Sequence, residues 1–152
     1  MKKPWSGRFK RSTDKLMEEF SASISFDHRL YAYDIAGSIA HCQMLAKCKI
    51  ISQTDSKKIV GGLKRILKEF ELGKFECDDR LEDIHMNIEN RLTELVGSVG
   101  GKIHTARSRN DQVCLDIRLY LRDEGAAVVH LITMLAKTLL NVARKHTNTI
   151  IP

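Results

Sequence analysis

Residues 100–112, Gly100-Gly101-Lys102-Ile103-His104-Thr105-Ala106-Arg107-Ser108-Arg109-Asn110-Asp111-Gln112, gather the side chains best suited to holding an anion. Two glycines free the backbone, and two arginines, two hydroxyls and an amide follow. Ser108 and Asp111 have the Ser-x-x-acid spacing of a capping box, with Asp where Glu is commoner, which starts a helix at about Arg109. A helix start presents unpaired N–H groups and the positive end of the dipole. Together with Thr105, Arg107, Ser108, Arg109 and Asn110 it makes a site for a carboxylate or phosphate, the arginines giving planar forks and Asn110 an amide donor. The competing reading is an ordinary capped helix whose arginines are solvated or paired with Asp111 and Asp116. Neither phosphate-cradling glycine pattern occurs in this stretch, and nothing marks a nucleophile elbow.

A second cluster, Glu82-Asp83-Ile84-His85, sets a carboxylate and an imidazole two residues apart. It either flanks a site or starts a helix with favourable acidic charge, and local spacing favours the helix start. Ser21, Ser23 and Ser25 read as a loop of small hydroxyls. The six histidines and the cysteines Cys42, Cys48, Cys77 and Cys114 show no metal-ligand spacing, so no metal site is expected and the thiols are expected reduced.

The elements that must position these groups read as helices. Prolines occur only at positions 4 and 152, and nine glycines are few for a sheet-rich fold of many turns. Ser12 can cap a short helix to Phe20. Asp27 can cap a second, where Leu30, Tyr33, Gly37, Ala40 and Met44 share a face down to about Lys47; Gly37 and Ala40 leave room for a close neighbour. Thr54 or Asp55 opens a third with the stripe Ile59, Leu63, Ile66, Leu67 and Phe70, stopped by Gly73. A fourth runs from about Leu81 to Val96, with Ile84, Ile88, Leu92 and Leu95 inside and Gly97 as its stop.

From Asp111 the pattern is ambiguous. Leu115, Ile117, Leu119 and Leu121 alternate with polar residues as a strand would, yet Cys114, Ile117, Leu121, Val128, Leu131, Leu135 and Val142 keep a seven-residue beat with no proline between them. Length favours a helix to Lys145, about 52 Å long, against a diameter of about 38 Å for a compact chain of this size. Such a helix overhangs its domain and needs neighbours from an oligomer or from a longer parent chain; the apolar end Ile150-Ile151-Pro152 favours the parent chain. The expected architecture is all-α: a small N-terminal helical domain over 1–110, then the first long helix of a central bundle over 111–152.

Composition bounds the function classes. The 152 residues are 43% hydrophobic and 29% charged, as in soluble globular domains. No apolar run is expected to reach the ~20 residues of a membrane span, and the N-terminus has no apolar signal core, so the expected address is cytoplasmic, away from membranes. Lys and Arg exceed Asp and Glu by 25 to 19, a formal +6 that suits an anionic partner. Much of the excess lies in the first fifteen residues, of which residues 1–11 read as an extended basic arm with Trp5 and Phe9 as anchors. At 6% aromatic residues, none interleaved with the basic ones, nucleic-acid binding is not expected.

Several stretches together are similar to the N-terminal part of the argininosuccinate lyases, members of the fumarase/aspartase superfamily. They are Trp5-Ser6-Gly7-Arg8-Phe9, Ser21-Ala22-Ser23-Ile24, Asp34-Ile35-Ala36-Gly37-Ser38, Glu82-Asp83-Ile84-His85-Met86 and, most specifically, Gly101 through Gln112. Ser6 stands where a second glycine is common. The resemblance implies a long-helix bundle shared in a homotetramer, with each active site assembled from three subunits. It implies reversible cleavage of argininosuccinate to arginine and fumarate, a β-elimination without metal or organic cofactor. It places Ser23, helped by Asp27, at the arginine-like end of the substrate, and Ser108, Arg109 and Asn110 on the succinate carboxylates. Asp83 and His85 fall near the site with less settled roles, beside Thr105 and Arg107. The family's proton-transfer groups, a His expected just beyond Pro152 and a Ser much further on, are expected outside this chain. The polypeptide alone is therefore expected to be inactive. Rival readings are a crystallin-like structural use of the fold and a sibling acting on another fumarate adduct; the run from Thr105 to Gln112 speaks against the sibling.

Overall fold

A computed structural model describes residues 14–150, and the basic arm with Trp5 and Phe9 lies outside them. The protein is all-α, and the described residues contain no strand. The helices are α1 (Lys15–Ser21), α2 (Ile24–Asp27), α3 (Tyr31–Lys47), α4 (Gln53–Glu71), α5 (Ile84–Val96) and α6 (Arg109–Lys145), with 3-10 turns at His28–Leu30, Asp79–Leu81 and Gly97–His104. Two compact units meet at a boundary after Asp116.

The first unit is a core of α3, α4 and α5. Each of these helices buries an aliphatic stripe: Ile35 and Leu45 on α3, Ile59, Leu63 and Ile66 on α4, and Ile84, Ile88 and Leu92 on α5. Each such side chain removed from water contributes about 1.5–3 kcal/mol. Gly62 lets α4 and α5 approach, because a Cβ there would lie 2.6 Å from Leu92 Cδ1 and 2.9 Å from Val96 Cγ1. Leu67 and Phe70 are only half-buried, and Phe70 stacks between Tyr31 and Phe75.

Several helix starts differ from the sequence expectation. Asp14, rather than Ser12, caps α1 by accepting from Leu16 N. Ser52 caps α4 from two residues before Thr54, accepting from Asp55 N. The stretch expected as a loop over Ser21–Ser25 is broken only at Ala22 and Ser23, because Ile24 buries itself at once in α2. The stops at Gly73 and Gly97 hold, both at positive φ, +64° and +74°.

The buried face of α3 is rotated from the one expected. Gly37 is in it, 3.0 Å from Leu115 Cδ2 by its missing Cβ. Ala40 and Met44 are exposed, and their places are taken by Asp34, Ser38, Cys42 and Leu45. Polar Asp34 and Ser38 carry no apolar signal, so a stripe drawn through hydrophobic residues alone points the wrong way.

α6 is a single helix of 37 residues, which settles the ambiguity against a strand. Only Gln112 and Asp116 of it are buried, and residues 121–150 are exposed on every face, including Val128, Leu131, Leu135, Leu139 and Val142. Between Glu124 and Arg144 the one charged residue is Lys137. By length and composition α6 therefore does hold a stretch able to cross a membrane, with mean hydropathy 1.6, where the sequence expectation had none.

Candidate functional site

The start of α5 organises the first half of the site. Glu82 sits at φ +59°, ψ −59°, and Asp83 N donates to Leu81 O across it at 2.5 Å, a tight three-residue turn. The turn presents the Glu82 carbonyl to α2, where it accepts from Ser23 N at 2.7 Å and Ile24 N at 3.1 Å. Asp27 completes the joint: its Oδ1 accepts from Ile84 N at 3.2 Å and its Oδ2 from Ser23 Oγ at 2.6 Å. Asp27 is thus not the cap of α3, which has no side-chain cap. It serves a free N–H at the start of α5, one that has no intrahelical partner.

Asp83 is the N-cap of α5, its Oδ1 accepting from Met86 N at 2.6 Å, while its Oδ2 lies 3.8 Å from Arg109 Nε. Burial pushes the Asp83 carboxyl up, and the Met86 bond and Arg109 offset this only in part. Arg109 Nη1 donates to Glu89 Oε1 and to Gln112 Oε1, both at 2.7 Å. Its partners are therefore Glu89 and Asp83, not Asp111 or Asp116. Burial alone lowers the pKa of Arg109, but the Glu89 charge and hydrogen bond with the Asp83 and Asp34 charges together outweigh it, and the guanidinium stays firmly protonated. Glu89 holds His104 Nε2 as well, at 2.5 Å. Burial pushes Glu89 up, and the His104 bond and the Arg109 charge bring it below its ordinary range.

The helix start itself has the expected reciprocal cap. Ser108 N donates to Asp111 Oδ2 at 3.1 Å, and Ser108 Oγ accepts from Asn110 N at 3.2 Å. Ser108 and Asn110 are exposed and Arg109 half-buried, so the positive end of a long helix is open to an anion. Two other candidates turn elsewhere. Arg107 donates to Ser38 Oγ from Nη1 at 3.1 Å and Nη2 at 3.2 Å, and burial lowers its pKa. Thr105 is engaged through its carbonyl, which accepts from His41 Nε2 at 3.0 Å.

His85 points inward. Its Nδ1 lies 3.2 Å from Asp34 Oδ1 and 3.5 Å from Asp116 Oδ2, all three side chains being at most 2% exposed. Gln112 Nε2 donates to the same Asp34 oxygen. Burial pulls the His85 imidazole down, but the Asp34 carboxylate more than compensates, and the ring titrates above its ordinary value. Burial pushes Asp34 up, and the His85 contacts bring it below its usual range. Asp116 is pushed up to about 7 by burial and by the Asp34 charge. Asp, His and Asp are donor types a cation can use, and these atoms lie within 4.8 Å of one another. The Arg107 charge beside Asp34 opposes a further cation there.

The fold therefore joins Ser23, Asp27, Asp83 and Arg109 around the starts of α5 and α6, with Ser108 and Asn110 at the open helix end. Sequence reasoning missed Glu89, Asp34, Gln112 and Asp116. For Asp34 and Asp116 the available signal was their place inside apolar helical repeats.

Residues 7–152 match the profile of the family described as Lyase. Among curated relatives, the chain is 57% identical over 150 residues to the argininosuccinate lyase of Desulforamulus reducens, and 55% identical over 151 residues to that of Syntrophotalea carbinolica. It is 53% identical over 152 residues to that of Pelotomaculum thermopropionicum. The matches cover 99–100% of this chain and 33% of each relative, so the chain spans about a third of their length. Matched along nearly its whole length, and carrying an all-α fold, the chain belongs to this lyase family.

Proposed function

We propose that this chain supplies substrate-binding residues of an argininosuccinate lyase, which reversibly cleaves argininosuccinate to arginine and fumarate. The observation that carries this reading is the 53–57% identity to argininosuccinate lyases along 99–100% of the chain, the α6 start included. The open helix end supports it, since the reaction needs an anion site.

In the elimination a base removes a proton from the carbon beside a carboxylate. The electron pair spreads into that carboxylate, the C–N bond breaks, and an acid protonates the departing guanidino nitrogen. Charge therefore builds on the carboxylate, where hydrogen-bond donors held in place lower the barrier. Ser108, Arg109 and Asn110 hold the succinate carboxylates at the α6 start, and Ser23, braced by Asp27, meets the arginine-like end. Asp83 positions Arg109, with His85, Thr105 and Arg107 supporting from behind. No metal or organic cofactor enters the proposed scheme.

The base and the acid are proposed to come from residues other than those of this chain, which leaves the isolated polypeptide inactive. The exposed apolar faces of α6 are proposed to be covered by helices of sister subunits in a cytoplasmic homotetramer rather than by lipid. Fumarate release from argininosuccinate by the complete gene product, and none by the purified 152-residue chain, is the expected result. A complete product that releases no fumarate, or turnover by the chain alone, contradicts it.

A further inference from the structure

Both ends of the loop carrying the anion-binding residues converge on one carboxylate oxygen. Glu89 Oε1 accepts from His104 Nε2 at 2.5 Å and from Arg109 Nη1 at 2.7 Å. His104 ends the 3-10 turn Gly97–His104 and Arg109 begins α6, so the intervening residues 105–108 hang between two ties to the same atom. The loop needs them. Ala106 adopts φ +56°, a conformation that a residue with a Cβ holds only when its surroundings impose it. Arg107 N donates to His104 O at 3.1 Å inside the loop, and the Arg107 side chain reaches across to Ser38. Glu89 itself stands on α5, between the buried Ile88 and Leu92, with a side chain only 13% exposed. It is a fixed anchor on a packed helix.

Resting on the lyase reading above, we propose that Glu89 is a positioning residue for substrate binding. It holds Arg109 through Nη1 and directs the Nη2 edge of the guanidinium towards the substrate carboxylate. Glu89 does not touch the substrate and acts through Arg109. A carboxylate is required because two N–H donors, one of them the Arg109 guanidinium, share its oxygen. A neutral amide at this position offers a weaker acceptor and leaves the Arg109 guanidinium without its opposing charge.

The test uses the complete gene product with Glu89→Gln and Glu89→Asp, reading steady-state kinetics together with amide hydrogen exchange over residues 105–110. In Glu89→Gln the KM for argininosuccinate rises and kcat falls, together lowering kcat/KM about tenfold. Exchange over 105–110 accelerates while that of α4 stays as in the wild type. Glu89→Asp keeps the charge on a shorter arm and recovers part of the KM, which a merely space-filling role does not predict. Wild-type turnover with KM unchanged in Glu89→Gln overturns this proposal alone, whatever the exchange shows. A wild-type protein that does not turn over argininosuccinate overturns the lyase reading and this proposal with it.

Discussion

Asp27 Oδ1 accepts the backbone N–H of Ile84 at 3.2 Å, joining residues 57 positions apart. Both are buried, and the other Asp27 oxygen holds Ser23 Oγ, so one carboxylate fixes a candidate substrate residue to the start of α5. Asp27→Ala leaves the Ile84 N–H buried without an acceptor and is expected to cost about 1–3 kcal/mol of stability. Asp27→Asn keeps an acceptor oxygen and is expected to cost less. Denaturant midpoints for the two variants give the order.

The Asp34–His85–Asp116 cluster makes stability depend on pH in a stated direction. Asp116 is raised from 3.8 to about 7, so between those values the folded state keeps a proton that the unfolded chain has released. Stability from this group is greatest below the lower value and falls as pH rises to the upper one. His85 is raised above 6.5, so its contribution is complete below 6.5 and is lost as pH rises through its folded value. Asp34 is lowered from 3.8, and its contribution is present above 3.8 and lost in stronger acid. The three together favour mildly acidic solution. Asp116→Asn, uncharged at every pH, is expected to flatten the fall between about pH 4 and pH 7. Denaturation midpoints measured across that range check the slope, and a wild-type slope in the variant contradicts the assignment.

Much of the fold was legible because hydrophobic period and glycine punctuation agree in α4 and α5. Ile59, Leu63 and Ile66 lie buried where the stripe put them, and Gly73 and Gly97 end their helices at positive φ. α6 was legible only over a long window, since its first turns alternate like a strand. The candidate site was less legible, because its joints are polar and distant in sequence. Asp27 looked like a local cap and instead serves Ile84. Asp116 was offered only as a partner for the arginines and Asp34 only within a matching stretch, and both are buried against His85. Glu89 was not among the sequence candidates, and nothing local tells that His104 and Arg109 meet on it.

Close packing between α4 and α5 gives a contrast between two glycines. Gly62→Ala pushes a methyl to 2.6 Å from buried Leu92, and overpacking of this kind costs about 1–3 kcal/mol. Gly37→Ala meets Leu115 at 3.0 Å, but Leu115 is 43% exposed and can swing aside. Gly37→Ala also gains up to ~1 kcal/mol of helix propensity, so it is expected to be near neutral. Thermal melting of both variants separates the cases.

Arg109 joins the proposed anion site to Glu89 and to the Asp83 cap, and its substitution tests the functional reading most directly. The measurement is kcat/KM for argininosuccinate in the complete gene product, wild type against Arg109→Gln, with melting temperature recorded alongside. A loss of about a hundredfold or more, with the fold retained, is the expected result, since removing one donor to charge that develops in the reaction costs about 2.7–4 kcal/mol. A folded Arg109→Gln protein with wild-type kcat/KM contradicts the assignment of the α6 start as the seat of the substrate carboxylates.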